Sequence, residues 1–225
     1  METINLIANR DKKSPIAEAY RTLRTSIRFS GTDRELKTIA VISALPGEGK
    51  STTISNLAVV MSQSGHKVLL MDCDFRKARQ NSIFNLRNKG VTNYLISDEP
   101  IENFIQGTEV ENLHVMTAGP VPPNPAELLE CQKYRDLLEH LKDYYDYILV
   151  DCTPVVPVAD ATIIAEQVDG VILLLRSGNV SPKIAQEMKR KVQAVGGNIL
   201  GVVLNRVQPQ HSYGHAYYYY GHEEK

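Results

Sequence analysis

The sequence predicts an α/β fold built on a mostly parallel central sheet with helices on both faces, and three observations predict it. Runs of β-branched apolar residues alternate with helical patterns along the chain. A glycine-rich loop, Ala44 to Thr52, stands between one such run and a helical pattern. Two further apolar runs lead into aspartate, at Asp72 and Asp151, where open α/β sheets place their ligands.

Taken in order, Ser14 to Phe29 reads as a helix, with Ile16, Tyr20, Leu23 and Ile27 on one apolar stripe and Glu18, Arg21, Arg24 and Arg28 on a neighbouring face. Thr38 to Ser43 reads as a buried strand. The helix after Lys50 buries Ile54, Leu57, Ala58 and Met61, and Gly65 stops it. Later strands are Val68 to Met71, Leu113 to Thr117, Tyr147 to Val150, Val171 to Leu175 and Ile199 to Leu204. Helices fall after Pro125, near Ala159 to Gln167, and after Pro182. Asn124-Pro125-Ala126-Glu127 places an N-cap, a proline at the first helical position and a glutamate at the third, and Ser181-Pro182 repeats the first two. The pattern ends at Arg206. Residues 1–206 are therefore expected to form one domain, and 207–225 a flexible tail rich in tyrosine and histidine.

The 225 residues, 43% hydrophobic and 23% charged, suit one such domain with a sizeable core. A net charge of -1 gives no electrostatic reason to expect nucleic acid. Cys73, Cys131 and Cys152 are odd in number and widely spaced, which favours reduced thiols over a disulfide framework or zinc site. The first residues lack a basic region followed by an apolar run, and no apolar run approaches the ~18 residues of a spanning helix. A cytoplasmic location is expected, with any membrane association supplied by a partner.

The loop departs from the Gly-x-x-x-x-Gly-Lys-Ser/Thr pattern only at Ala44, where the first glycine usually stands. Gly47 and Gly49 allow backbone N–H groups around Glu48 to line a concave nest for phosphate. Lys50 reaches the β- and γ-phosphates, and Ser51, with Thr52 beside it, can ligate Mg2+ at the start of a helix whose dipole favours anions. A glycine turn is the bland alternative, but strand before and helix after are the context that confirms a P-loop NTPase fold binding ATP. Asp72 and Asp74 share one orientation at a strand end, so both can meet the metal or an incoming hydroxyl. Asp151 has the place of the carboxylate that holds magnesium. Each single aspartate could be a cap or turn residue. Three at strand ends in one such domain fit that poorly.

With these residues in view, the chain resembles the bacterial tyrosine kinases that control capsule and exopolysaccharide synthesis. Ala44 to Thr52 looks like their Walker A segment, Leu69 to Arg76 like Walker A′ (Asp-x-Asp-x-Arg), and Ile148 to Pro154 like Walker B. Glu18-x-x-Arg21-x-x-Arg24, Gly119 to Pro125 and the terminal tyrosines extend the resemblance over essentially the whole chain. Phe75, Ala78 and Cys152 are small departures.

The resemblance implies a magnesium- and ATP-dependent autokinase with Lys50, Asp72, Asp74 and Asp151 in catalysis, and Ser51, Asp72 and Asp151 at the metal. It leaves open how Asp72 and Asp74 divide metal organisation and hydroxyl activation. It implies Tyr213, Tyr217, Tyr218, Tyr219 and Tyr220 as phosphoacceptors, and a homo-oligomeric ring held through Glu18, Arg21 and Arg24. Partners implied are a separate transmembrane adaptor of the polysaccharide co-polymerase type and a cognate tyrosine phosphatase. Asn205 and Arg206 match the position that contacts adenine in this fold, a strand-end turn being the alternative. The partition and cell-division ATPases of the same fold carry a signature lysine where this chain has Leu45, which counts against that competitor. A catalytically idle, nucleotide-dependent scaffold for a membrane partner is the other alternative, opposed by intact Lys50, Asp72, Asp74 and Asp151.

Overall fold

The computed structural model describes residues 6–31 and 35–208, so the tyrosines 213 and 217–220 lie outside the described residues. One sheet holds seven strands among these residues: β1 (Thr38–Ser43), β2 (Val68–Asp72), β3 (Gln106–Gly107), β4 (Leu113–Met116), β5 (Tyr147–Asp151), β6 (Gly170–Arg176) and β7 (Ile199–Asn205). Their spatial order is β3, β4, β2, β5, β1, β6, β7, and every pairing is parallel except β3 with β4. The helices are α1 (Ile7–Arg10) and α2 (Pro15–Ser30) ahead of the sheet, α3 (Lys50–Ser62) after β1, and α4 (Gln80–Ile83) and α5 (Val91–Ile96) after β2. Then come α6 (Pro125–Glu130), α7 (Gln132–Leu141), α8 (Asp160–Gln167) and α9 (Pro182–Ala194).

Strand parity sorts the apolar side chains into two cores. Ile39, Val41, Leu70, Leu149 and Ile172 pack beneath α3 with Ile54, Leu57 and Met61. Their neighbours Ala40, Ile42, Leu69, Met71, Val150 and Leu173 point the other way, onto Leu129, Leu137, Ile164, Met188 and Val192 of α6 to α9. Fully burying one such side chain contributes roughly 1.5–3 kcal/mol, so a one-residue slip in a central strand would turn every one of its apolar side chains to the wrong core.

Several details differ from the sequence reading for identifiable reasons. The stripe on α2 holds at Tyr20, Leu23 and Ile27, which pack on the core beneath α3, but its first member is the buried Ala17 and not Ile16, which is 57% exposed. The helix α3 is buried throughout from Thr53 to Ser62, not along one stripe, because α1 and α2 cover the face turned away from the sheet. The Asn56 side chain accepts the Ala8 N–H at 3.0 Å, and Arg24 donates to the Val60 carbonyl at 3.1 Å, which fastens this outer layer. The helical segment after Pro125 is two helices, broken at Cys131, whose backbone is extended. Asn124 does not cap it; its amide donates instead to Glu127 at 2.9 Å. Ser181 does cap α9. The pieces α1, α4, α5 and β3 span two to six residues, too few for a periodic pattern to declare itself.

Candidate active site

Topology brings the ends of β1, β2 and β5 together, and with them the three segments singled out in the sequence. Gly47 and Gly49 have φ of +79° and +97°, a left-handed backbone that other residues adopt at a cost. At Gly49 a Cβ would also stand 2.3 Å from the Asn205 amide nitrogen. The loop is held from below by Glu48, a buried residue whose two carboxylate oxygens accept the N–H groups of Leu45 at 2.8 Å and Arg176 at 3.1 Å. Its carbonyl accepts the Asn205 amide at 2.8 Å. Glu48 therefore contributes backbone to the site and uses its carboxylate to tie the loop to β6.

A cavity of about 630 Å³ opens over this loop. Of the residues expected at the nucleotide, Gly47, Glu48, Gly49, Lys50, Ser51, Thr52 and Arg206 line it, together with Asp74 and Thr153. Asn205 does not; it works from behind the loop.

The charged centre is compact and buried. The Lys50 ammonium lies 2.5 Å from Asp151 Oδ1 and 3.9 Å from Asp74. Burial alone would push the Lys50 pKa down, but the charges of Asp151 and Asp74 outweigh it and the net shift is upward, so the group stays cationic. Asp72 and Asp151 are direct partners in the β2–β5 register, and their shared parity points both toward α3. Two adjacent carboxylates in a buried place disfavour double ionisation. Burial first, then the charge of Asp151, raises the Asp72 pKa to about 7, although the N–H groups of Gln80 and Arg79 each donate to it at 2.9 Å. Asp74 is different: it lies past the strand end, lines the cavity and accepts the Lys77 N–H at 2.9 Å. Burial raises its pKa and Lys50 opposes that rise. The two aspartates whose division of roles the sequence leaves open are thus separated by depth, Asp72 behind and Asp74 at the cavity wall.

These residues fit a nucleotide phosphate and its magnesium. Thr153 lines the cavity, and its buried hydroxyl oxygen has no hydrogen-bond partner among the described residues. Such a group asks for a ligand or water. Among the described residues no three His, Cys, Asp or Glu side chains form a ready metal cage. Magnesium does not require one, since it is held by one or two carboxylates together with phosphates and water.

The sequence reading missed Thr153, although it directly follows the Asp151-Cys152 pair, and it missed Asp160. Asp160 is buried at the start of α8 and receives Arg76 through Nε at 2.8 Å and Nη2 at 3.2 Å, the fork geometry that fixes a guanidinium at the cavity rim. The three cysteines are free. Cys73 and Cys152 pack inside the core, and Cys73 lies 3.5 Å from the Tyr134 hydroxyl.

On α2, Glu18 and Arg21 form a 2.7 Å ion pair, Arg21 also reaches the Lys12 carbonyl, and Arg24 is engaged with Val60 of the same chain. These three residues lie away from the cavity and are not among those lining it.

Comparison with known proteins agrees with this geometry. A family model described as an AAA domain matches residues 36–198. The tyrosine-protein kinase YwqD of Bacillus subtilis (strain 168) is 40% identical over 220 residues, 96% of this chain and 91% of that protein. The tyrosine-protein kinase CpsD of Streptococcus pneumoniae is 37% identical over 210 residues, 92% of each. The crystal structure of the chimerical protein CapA2B2 superposes with a TM-score of 0.87 at 38% identity, covering 90% of this chain and 89% of that one. With strand-end aspartates, glycine loop and lysine all in place and relatives of this likeness over nearly its whole length, the chain belongs to the bacterial tyrosine-protein kinases.

Proposed function

We propose that this kinase phosphorylates the tyrosines of a neighbouring copy's tail, Tyr213 and Tyr217 to Tyr220, within a ring, and that residues 207–225 act as the substrate segment of the 1–206 domain. The observation that carries the reading is the buried Lys50, Asp151 and Asp74 cluster beneath a phosphate-shaped loop, together with five tyrosines in eight positions of a chain that has 11. Magnesium-bound ATP supplies the transferable phosphoryl group and neutralises its charge.

Lys50 and the N–H groups of residues 47–52 would hold the phosphates, while Ser51 and Asp151, with Asp72 behind, would hold the metal. Phosphoryl transfer goes through a loose transition state, so orientation and charge compensation matter more than a strong nucleophile. A tyrosine hydroxyl, with its ordinary pKa of about 10, arrives neutral and gives up its proton late. Asp74, at the cavity wall, accepts that proton on a carboxylate oxygen. Arg206 at the cavity wall contacts the base, and Asn205 supports it through the loop.

Reach allows transfer between copies. From Arg206 to Tyr220 is 14 residues, at most roughly 50 Å when extended, against a domain diameter of about 45 Å from its expected radius of gyration. Each phosphotyrosine adds about -1.5 to -2 charges, so several repel a site already rich in carboxylate and phosphate, and product leaves. The resemblance noted from the sequence extends the reading to capsule or exopolysaccharide synthesis and export. A transmembrane adaptor recruits the cytoplasmic kinase, the ring closes through Glu18, Arg21 and Arg24, and a cognate phosphatase resets the tail. Among the described residues no helix is long and apolar enough to cross a membrane.

The test is phosphotyrosine blotting after incubation with magnesium-ATP, with and without an adaptor peptide. Lys50→Met is expected to lower labelling by roughly 10²-fold or more, the scale for losing one preorganised charge-stabilising group. Labelling at the wild-type level in a folded Lys50→Met protein would overturn the assignment.

A further inference from the structure

We infer that Gln80 is a positioning residue for Asp151, holding that carboxylate in the orientation needed for magnesium. The inference rests on the proposal above that Asp151 serves the metal. Gln80 opens α4 and is fully buried. Its Nε2 donates to Asp151 Oδ2 at 2.7 Å, its Oε1 lies 2.7 Å from the Ser55 hydroxyl of α3, and its backbone N–H donates to Asp72 Oδ2 at 2.9 Å. One residue thus clamps both members of the carboxylate pair, one by main chain and the other by side chain.

The direction of the amide follows from donor counting. The Lys50 ammonium at Asp151 Oδ1 and the amide at Oδ2 both act as donors to this carboxyl group, so Nε2 faces Asp151 and Oε1 faces Ser55. The Ser55 hydroxyl has one proton and two acceptors at 2.7 Å, the Ser51 carbonyl and Gln80 Oε1. Only donation to Gln80 keeps the amide locked in the direction Asp151 requires. The two oxygens of Asp151 are divided between Lys50 at Oδ1 and Gln80 at Oδ2. When phosphate draws the lysine away, Gln80 is the side-chain donor that keeps Asp151 from rotating toward Asp72. Filling space does not require an amide here. A buried amide costs several kcal/mol unless bonded, and the bonds that satisfy this one all end on α3 or on the carboxylate pair. The α4 segment has only four residues and no side-chain cap, so the anchoring runs both ways: Asp72 fixes Gln80, and Gln80 fixes Asp151.

The test titrates magnesium into full-length protein with a fluorescent ADP, and measures the same affinity in EDTA. Loss of a group that orients a metal ligand typically costs 10- to 100-fold in metal affinity, so Gln80→Leu is expected to raise the magnesium midpoint by about 10-fold or more, with the EDTA affinity unchanged within about twofold. Ser55→Ala should shift the midpoint the same way by a few-fold, and it serves alone if Gln80→Leu fails to fold. Asp151→Asn is the control. If Asp151→Asn raises the midpoint while Gln80→Leu, or the substitute Ser55→Ala, leaves it at the wild-type value, the role of Gln80 is overturned and the metal assignment survives. If Asp151→Asn itself leaves the midpoint unchanged, the metal assignment fails and this inference with it.

Discussion

The carboxyl ends of β2 and β5 and the outer face of α2 both gather acids and bases, yet they carry charge under opposite physics. At the strand ends, Asp72, Asp74, Asp151 and Lys50 are buried, and each alters the proton affinity of its neighbours. On α2, Glu18 and Arg21 pair at 2.7 Å with side chains 58% and 29% exposed, where water and salt leave such a pair little net worth, typically 0–1 kcal/mol. A buried cluster is expensive to assemble and persists because its members satisfy one another and serve the chemistry. An exposed one stabilises the single chain little, and the contact between copies proposed for it rests on the family resemblance.

The sharpest way to break this comparison is within the buried cluster. Asp72→Asn should abolish the adverse pairing of two carboxylates, and the effect is read from pH. With its pKa raised from 3.8 to about 7, Asp72 keeps a proton in the folded protein that the unfolded chain releases. That contribution to stability is complete below about pH 4 and is lost as pH rises through 7. The ligand-free wild type should therefore lose melting temperature between pH 5 and pH 8, and Asp72→Asn should flatten that slope. Equal slopes in the two proteins would contradict the paired-carboxylate account.

A smaller effect is expected at the loop. Gly49→Ala places a side chain at φ +97° against Asn205, a strain of about 1–3 kcal/mol. It should weaken nucleotide binding more than Gly47→Ala, whose added Cβ meets no atom within 4 Å although its φ is also positive. Equal losses would mean that strain alone, and not the contact with Asn205, sets the loop's shape.

The smallest effect on the isolated chain belongs to α2. Removing the ion pair by Arg21→Ala should change stability by no more than about 0.5 kcal/mol, while Arg21→Ala with Arg24→Ala should move a large oligomer toward monomer and reduce labelling. Light scattering that gives the same mass for the double variant and wild type would rule out this face as the ring contact.

What was legible in the sequence divides along the same line. Strand parity and position placed Asp151 and Asp72 correctly, because a buried parallel strand leaves its terminal carboxylate only one end of the sheet to occupy. Parity also set Asp74 on the side of Asp72 and Cys73 on the other, and Asp74 does lie 3.9 Å from Lys50 while Cys73 packs in the opposite core; what parity does not encode is depth, since β2 ends at Asp72 and Asp74 stands beyond it at the cavity wall. Thr153 and Asp160 were missed because their roles come from what the fold sets beside them, the cavity next to Thr153 after β5 and Arg76 against Asp160 at the first turn of α8, and no local pattern encodes either. Ile16 reads as the first member of a stripe that holds at Tyr20, Leu23 and Ile27, but packing seats the small Ala17 in its place, buried completely. Glu48 reads as a backbone contributor to the loop and lines the cavity, but the sequence does not show that its carboxylate turns inward to the N–H groups of Leu45 and Arg176.

The central claim is that the site of one copy modifies the tail of another, and mixing two incomplete proteins tests it most directly. Lys50→Met protein keeps its tail but has lost the phosphate lysine; protein truncated after Arg206 keeps its site but has no tail. Co-assembled and supplied with magnesium-ATP, the pair should yield phosphotyrosine on the Lys50→Met subunit. Its absence, with co-assembly demonstrated and wild type labelling normally, would contradict transfer between subunits.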